Sequence, residues 1–212
     1  MQKLLIATSN PGKFVEISLV LSGLGFKLVS LKDLGLNVTV EEDGDTFKEN
    51  AYKKARHFYD LTGILTLAED SGISVAALKG ELGVKTRRFG AGENASDEEW
   101  LDFFMKRMEG AQNREASFVC SACLLGEAFH KDIEEFFEGE TGGRIAEKLL
   151  APISPGIPLS SCFIPEGFDK AYANLDVAEK NKISHRGKAM AKVKEFLENM
   201  VRSGSLDFNA QK

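Results

Sequence analysis

A bound phosphate needs positive charge and a fan of short hydrogen-bond donors. Thr8-Ser9-Asn10-Pro11-Gly12-Lys13 supplies both within six positions. The stretch follows the apolar run Leu4-Leu5-Ile6-Ala7 and precedes Phe14, Ile17, Val20 and Leu21 at helical spacing. A buried strand is therefore expected to empty into a polar turn that opens a helix. Asn10 suits the N-cap, Pro11 the first helical position, and Gly12 lets a ligand approach the backbone. The spacing is not that of a Walker loop, and an ordinary capped helix start has the same local chemistry.

Carboxylates supply the complementary chemistry. Magnesium takes oxygen ligands and commonly bridges one or two protein carboxylates to substrate phosphates. Two acidic groups qualify: Glu41-Glu42-Asp43, and the pair Glu69-Asp70 that follows the apolar run of residues 64–68. Charges next to a buried strand are costly unless a partner or cation meets them. Two adjacent acids can divide labour, one holding metal and the other accepting a proton from water. Lys53 and Lys54 follow the first acidic group, and Lys180, Lys182, His185 and Arg186 cluster before the last helix. Arg186 can take phosphate bidentately, and His185 can hydrogen-bond a base or a phosphate oxygen. No Ser or Cys nucleophile paired with a His base is evident, which favours direct attack by water.

The elements that position these groups follow from periodicity. Strands are expected at residues 26–30 and 64–68, the second ending at Glu69-Asp70-Ser71-Gly72, where open α/β sheets tend to bind ligands. Helix spacing covers residues 45–61, and Ser96 with Glu99 forms a capping-box signature before residues 100–108. Residues 114–125 and 128–138 read as a long hairpin, although 133–137 also permits a helix. A last helix is expected over residues 187–200, followed by a frayed tail at 201–212.

The chain has 212 residues, 43% of them hydrophobic, enough for one sizeable core in a single domain over about residues 1–200. A net charge of -5 disfavours a general nucleic-acid binder. No stretch approaches a membrane span, and the N-terminus lacks the plan of a signal peptide. The three cysteines, Cys120, Cys123 and Cys162, do not suggest a disulfide framework. A cytoplasmic protein is expected. Cys120 and Cys123 have C-x-x-C spacing but lie in an expected strand, with no second metal-ligand pair nearby.

Taken in order, these segments resemble the house-cleaning nucleoside triphosphate pyrophosphatases that act on inosine and xanthosine triphosphates. The resemblance rests on residues 8–13, 42–51 with Lys54, 68–72, 83–89, 163–167 and 184–186, and spans about residues 3–200. It implies a mixed α/β fold of two lobes around a long central mixed sheet with flanking helices, a cleft between the lobes, and usually a homodimer. It also implies Mg²⁺-dependent cleavage between the α- and β-phosphates of ITP, dITP and XTP. By position, Thr8, Ser9, Asn10, Pro11, Gly12 and Lys13 would hold the phosphates with Lys54, and Lys13 would assist catalysis. Glu42, Glu69 and Asp70 would serve the metal, and Asp70 would activate water. Ser71 would touch substrate, and Lys180, His185 and Arg186 would line the purine and phosphate side. The family often has Asp where Glu69 stands.

One segment departs from the family. Before Phe163 the family carries a Gly-rich loop whose aromatic residue stacks on the base and whose Asp helps read the purine edge. Here residues 151–162 place Ile157 and Ser160 at those positions and hold three of the five prolines. Losing a stacking partner removes about 1–3 kcal/mol of affinity. Phosphate and metal recognition are expected to survive while base selectivity changes. Two alternatives stand beside this reading: a nucleotide-binding protein with weak or lost activity, and a house-cleaning hydrolase for other modified nucleotides.

Overall fold

The computed structural model describes residues 2–92 and 95–210, leaving out the side chains of residues 87, 88 and 203–210. One six-stranded sheet runs through it in the order β2-β1-β3-β4-β5-β6. β1 (Lys3–Ile6) lies between β2 (Lys27–Ser30) and β3 (Thr66–Val75), parallel to both. β3, β4 (Glu115–Ala128), β5 (Lys131–Ile145) and β6 (Phe163–Pro165) then pair antiparallel, so the sheet is mixed, as expected.

Neighbouring strand residues face opposite ways, and the two faces build different cores. α1 (Pro11–Leu21) and α5 (His185–Ala210) lay Ile17, Leu21, Val193 and Leu197 against Leu67 and Leu124. α2 (Phe47–Thr62) lays Ala51, Ala55 and Phe58 against Ala68 and Cys123 on the other face. At the far end of the hairpin, α3 (Asp97–Arg107) packs Trp100, Leu101 and Phe104 with Val75, Ile145 and Phe163 as a second lobe. Cys120 and Cys123 are free and belong to different cores, so the C-x-x-C spacing forms no pair.

Local signals placed most elements. Asn10 and Ser96 cap α1 and α3, the latter with both hydrogen bonds of a capping box. The hairpin forms as two strands, which removes the helical alternative for residues 133–137. Its turn uses Phe129 and His130 at φ of 52° and 60°, the backbone of a two-residue type I′ connection.

Three boundaries differ from the sequence expectation, one of them that of β5, which runs on to Ile145 rather than ending near residue 138. Glu69-Asp70-Ser71-Gly72 does not end a strand, because β4 pairs with β3 residue by residue from Thr66 to Val75. The last helix begins at His185 and extends to Ala210, so it includes much of the segment expected to fray; residues 211 and 212 lie outside the described residues. A short helix, α4 (Val177–Ile183), precedes it. The intervening Ser184 accepts the Gly187 N–H on its hydroxyl at 3.0 Å, which caps the start of α5. Gly139 of β5 lets that start come close, since a Cβ there would collide with the carbonyl of His185 and the amide of Ala189 at 2.7 Å.

Candidate active site

The cleft between the lobes encloses about 430 Å³, a size suited to a small-molecule ligand. Its wall combines the α1 turn, the centre of β3, α2, the loop before β6, and the α4–α5 junction. Of the residues singled out from sequence, Thr8, Ser9, Asn10, Lys13, Glu42, Lys54, Glu69, Asp70, Ser71, Lys180, His185 and Arg186 all line it. Pro11 and Gly12 are not among its lining residues. Gly12 sits under the loop, where a Cβ would be 3.0 Å from the Pro155 carbonyl.

Asn10 organises the α1 turn. Its Oδ1 accepts the Lys13 N–H at 3.1 Å, and its Nδ2 donates to the Gly156 carbonyl at 2.7 Å. Gly156 has φ of 76° and would bring a Cβ within 2.5 Å of Asn10, so this close approach requires glycine. The Gly156 N–H donates in turn to Asp97 at the start of α3. The proline-rich loop thus ties the α1 turn to the second lobe.

Strand alternation separates the two central acids. Glu69 and Ser71 face α1 and α5, where Lys13 Nζ lies 2.6 Å from Glu69 Oε1. Arg186 Nε is 3.6 Å from Glu69 Oε2, which also accepts the Cys120 thiol at 3.3 Å. Arg186 Nη2 donates to Ser71 Oγ at 3.0 Å. Burial alone would raise the Glu69 pKa, but Lys13, Arg186 and Lys54 outweigh it and hold the carboxyl well below its ordinary range.

Asp70 points to α2. Asn50 Nδ2 donates to its Oδ2 at 3.0 Å, the Ser71 N–H donates to Oδ1 at 2.9 Å, and Lys54 Nζ lies 3.7 Å from Oδ1. Lys54 also pairs with Glu42 at 2.8 Å. Burial raises the Asp70 pKa; Lys54 opposes it, while the charges of Glu42 and Glu69 add to it. The Lys54 pKa is lowered by burial but raised further by Asp70, Glu42 and Glu69, and the net direction is upward.

The donor set suits a hard cation only in part. Among the described residues, no three His, Cys, Asp or Glu side chains converge as a metal cage. Glu42 and Asp70 share Lys54 and carry oxygen donors, in keeping with the habit of Mg²⁺ of using one or two carboxylates and completing its shell with substrate phosphate and water. Glu69, the third expected metal ligand, has its oxygens against Lys13, Arg186 and Cys120 on the opposite side of β3 from Asp70.

At the other end of the cleft, Ile157 and Ser160 occupy the loop positions expected from sequence and line the cavity with Trp100, Phe118 and Tyr172. His185 stacks on Phe118 at 4.6 Å with ring planes 10° apart. Burial, reinforced by Arg186, pushes the His185 pKa well below its ordinary value, so the ring is neutral near pH 7. Lys180 Nζ reaches Ser160 Oγ at 3.1 Å. Glu16, Asn50, Trp100, Phe118 and Tyr172 were not marked as site residues by sequence. Asn50 did fall inside the matched segment 42–51, whereas the others carry no spacing signal beyond helical or strand periodicity.

Comparison with known proteins places the chain among relatives of matching length and fold. The model of the Ham1 family matches residues 4–196. A dITP/XTP pyrophosphatase of Leptospira interrogans is 36% identical over 92% of this chain and 97% of its own length. One from Aquifex aeolicus is 38% identical over 93% and 97%. The structure of a HAM1 protein from Coxiella burnetii superposes with a TM-score of 0.78 at 33% identity, covering 94% of this chain and all of that one.

Proposed function

The chain belongs to the Ham1 family, and on that premise we propose that its cleft hydrolyses non-canonical purine nucleoside triphosphates, ITP, dITP and XTP among them, to the monophosphate and pyrophosphate with Mg²⁺. It is a nucleoside triphosphate pyrophosphatase by family. The observation that carries the site assignment is that Lys13, Lys54 and Arg186, from three different helices, line one cavity with Asp70.

In this reading the triphosphate lies along the α1 turn, with Thr8, Ser9 and Asn10 as short polar contacts and the three cations against its charge. Arg186 is the rigid, forked contact, and its bond to Ser71 holds it beside Asp70. Asp70 takes the proton from the water that attacks the innermost, α-phosphorus. Asn50 and the Ser71 amide fix its carboxylate, and its raised pKa makes it a stronger base than a solvated Asp. Glu42 and Asp70 would hold the magnesium, which when bound neutralises phosphate charge and polarises a phosphoryl oxygen. Glu69 acts as the buried counter-ion that orients Lys13 and Arg186.

Phosphate recognition and base recognition are separable in this cleft. Lys180, neutral His185 and Ser160 would read the base edge, while Ile157 gives an aliphatic wall where the family has a stacking ring. A hydroxyl can both donate and accept, so Ser160 discriminates less between base edges than a carboxylate does. The proposal includes a homodimer and a cytoplasmic setting by family likeness; no helix among the described residues is long and apolar enough to cross a membrane.

Pyrophosphate release measured across ITP, XTP, dITP, GTP, ATP and pyrimidine triphosphates tests the assignment. Turnover of the first three is expected, lost on chelation of Mg²⁺, with weaker discrimination against GTP than a stacked base pocket gives. Tight binding without turnover of any nucleotide would make the chain a nucleotide-binding protein instead.

A further inference from the structure

We propose that Glu16 is a positioning residue that sets the base-side Lys180 and the phosphate-side Arg186 from a single carboxylate on the helix that carries the phosphate turn. The inference rests on the hydrolase reading above and adds a residue to it. Glu16 lies three positions after Lys13 in α1, a spacing that places the two on neighbouring positions of the same helix surface. It is almost wholly buried, at 5% exposure.

Its two oxygens are divided between two elements. Oε1 lies 2.6 Å from Lys180 Nζ of α4, and Oε2 lies 2.6 Å from Arg186 Nη1 of α5. The Glu16 carbonyl accepts the Asn181 side-chain amide at 3.1 Å, which fixes α4 to the same point of α1. Each cation then has a donor left over for the cleft: Lys180 reaches Ser160 in the loop before β6, and Arg186 reaches Ser71 beside Asp70. The Tyr172 ring also faces the Lys180 ammonium, its centroid 5.5 Å away. One carboxylate therefore fixes the separation between the group that faces the base loop and the group that faces the phosphates.

Glu16→Asp keeps the charge and withdraws it by one methylene. Kinetics with ITP are expected to show KM raised about tenfold or more, with kcat changed much less, because a charge-assisted contact made in both ground and transition states is weakened. Glu16→Gln and Lys180→Met should each raise KM, and the double variant should lose less than the product of the two, since the effects run through one contact. Melting curves recorded alongside show whether each variant is folded at the assay temperature. A folded Glu16→Asp protein with wild-type KM would overturn the inference, as would losses in the double variant that simply multiply. Should the wild-type chain bind ITP without cleaving it, the hydrolase reading fails while Kd replaces KM in the same comparison. A wild-type chain that neither binds nor cleaves would remove both.

Discussion

Asp70→Asn is expected to lower turnover by about 10²- to 10⁴-fold and, in the Mg²⁺-free protein, to raise the melting temperature. The two effects share one cause. Burial, with Glu42 and Glu69 nearby, raises the pKa of Asp70 above its ordinary value of 3.8, so the folded chain holds a proton there that the unfolded chain has released. Stability attributable to this group therefore falls as pH rises from about 3.8 through the raised value, and at neutral pH the charged form weakens the fold. Asparagine removes that charge while keeping the shape. Thermal melts from acid to neutral pH should show the variant and the wild type converging in acid and separating as pH rises. Nucleotide binding should be largely retained, and the acid limb of wild-type activity should lie above 3.8. A variant with near-normal turnover would take the base role away from Asp70.

Glu69→Gln carries the largest expected cost to the fold. It leaves Lys13 facing a neutral amide and takes from Arg186 one of its two carboxylate partners, at a carboxylate that is itself almost wholly buried. Removing one partner of a buried ion pair costs about 3–5 kcal/mol. For a chain of this size that corresponds to a fall in Tm of roughly 6–20 °C. The sign with pH is opposite to that of Asp70. The Glu69 pKa is lowered, so its contribution is fully present above its ordinary value of 4.5 and is lost as pH falls from there through the folded-state value. The gap in Tm between wild type and variant should therefore narrow in acid. An unchanged Tm at neutral pH would show that Glu69 is not the counter-ion described here.

The contrast between these two neighbours shows what could be read from sequence and what could not. The α1 turn was legible because its determinants are local: Asn10 caps, Pro11 begins, and apolar residues recur at helical spacing. The Ser96–Glu99 capping box was legible for the same reason. Glu69-Asp70-Ser71-Gly72 looks like the end of a strand because four polar or small residues follow an apolar run. What keeps it in a strand is distant in sequence: the ladder to β4 and the side chains of Lys13, Asn50, Lys54 and Arg186. Once the strand continues, alternation places the two acids on opposite faces, Glu69 against Lys13 and Arg186 and Asp70 against Asn50 and Lys54. Glu16 was invisible for a related reason, since an acid on an amphipathic helix reads as solvated until α4 and α5 bring cations to it. The departure of residues 151–162 from the loop that the resemblance implies was visible in the sequence, but not the hydrogen bonds that tie Gly156 to Asn10 and Asp97.

The most direct measurement is hydrolysis of ITP in H₂¹⁸O with Mg²⁺, followed by mass spectrometry of both products. Water directed at the α-phosphorus predicts one ¹⁸O in the inosine monophosphate and none in the pyrophosphate. Label in the pyrophosphate, or release of orthophosphate in its place, would contradict the account.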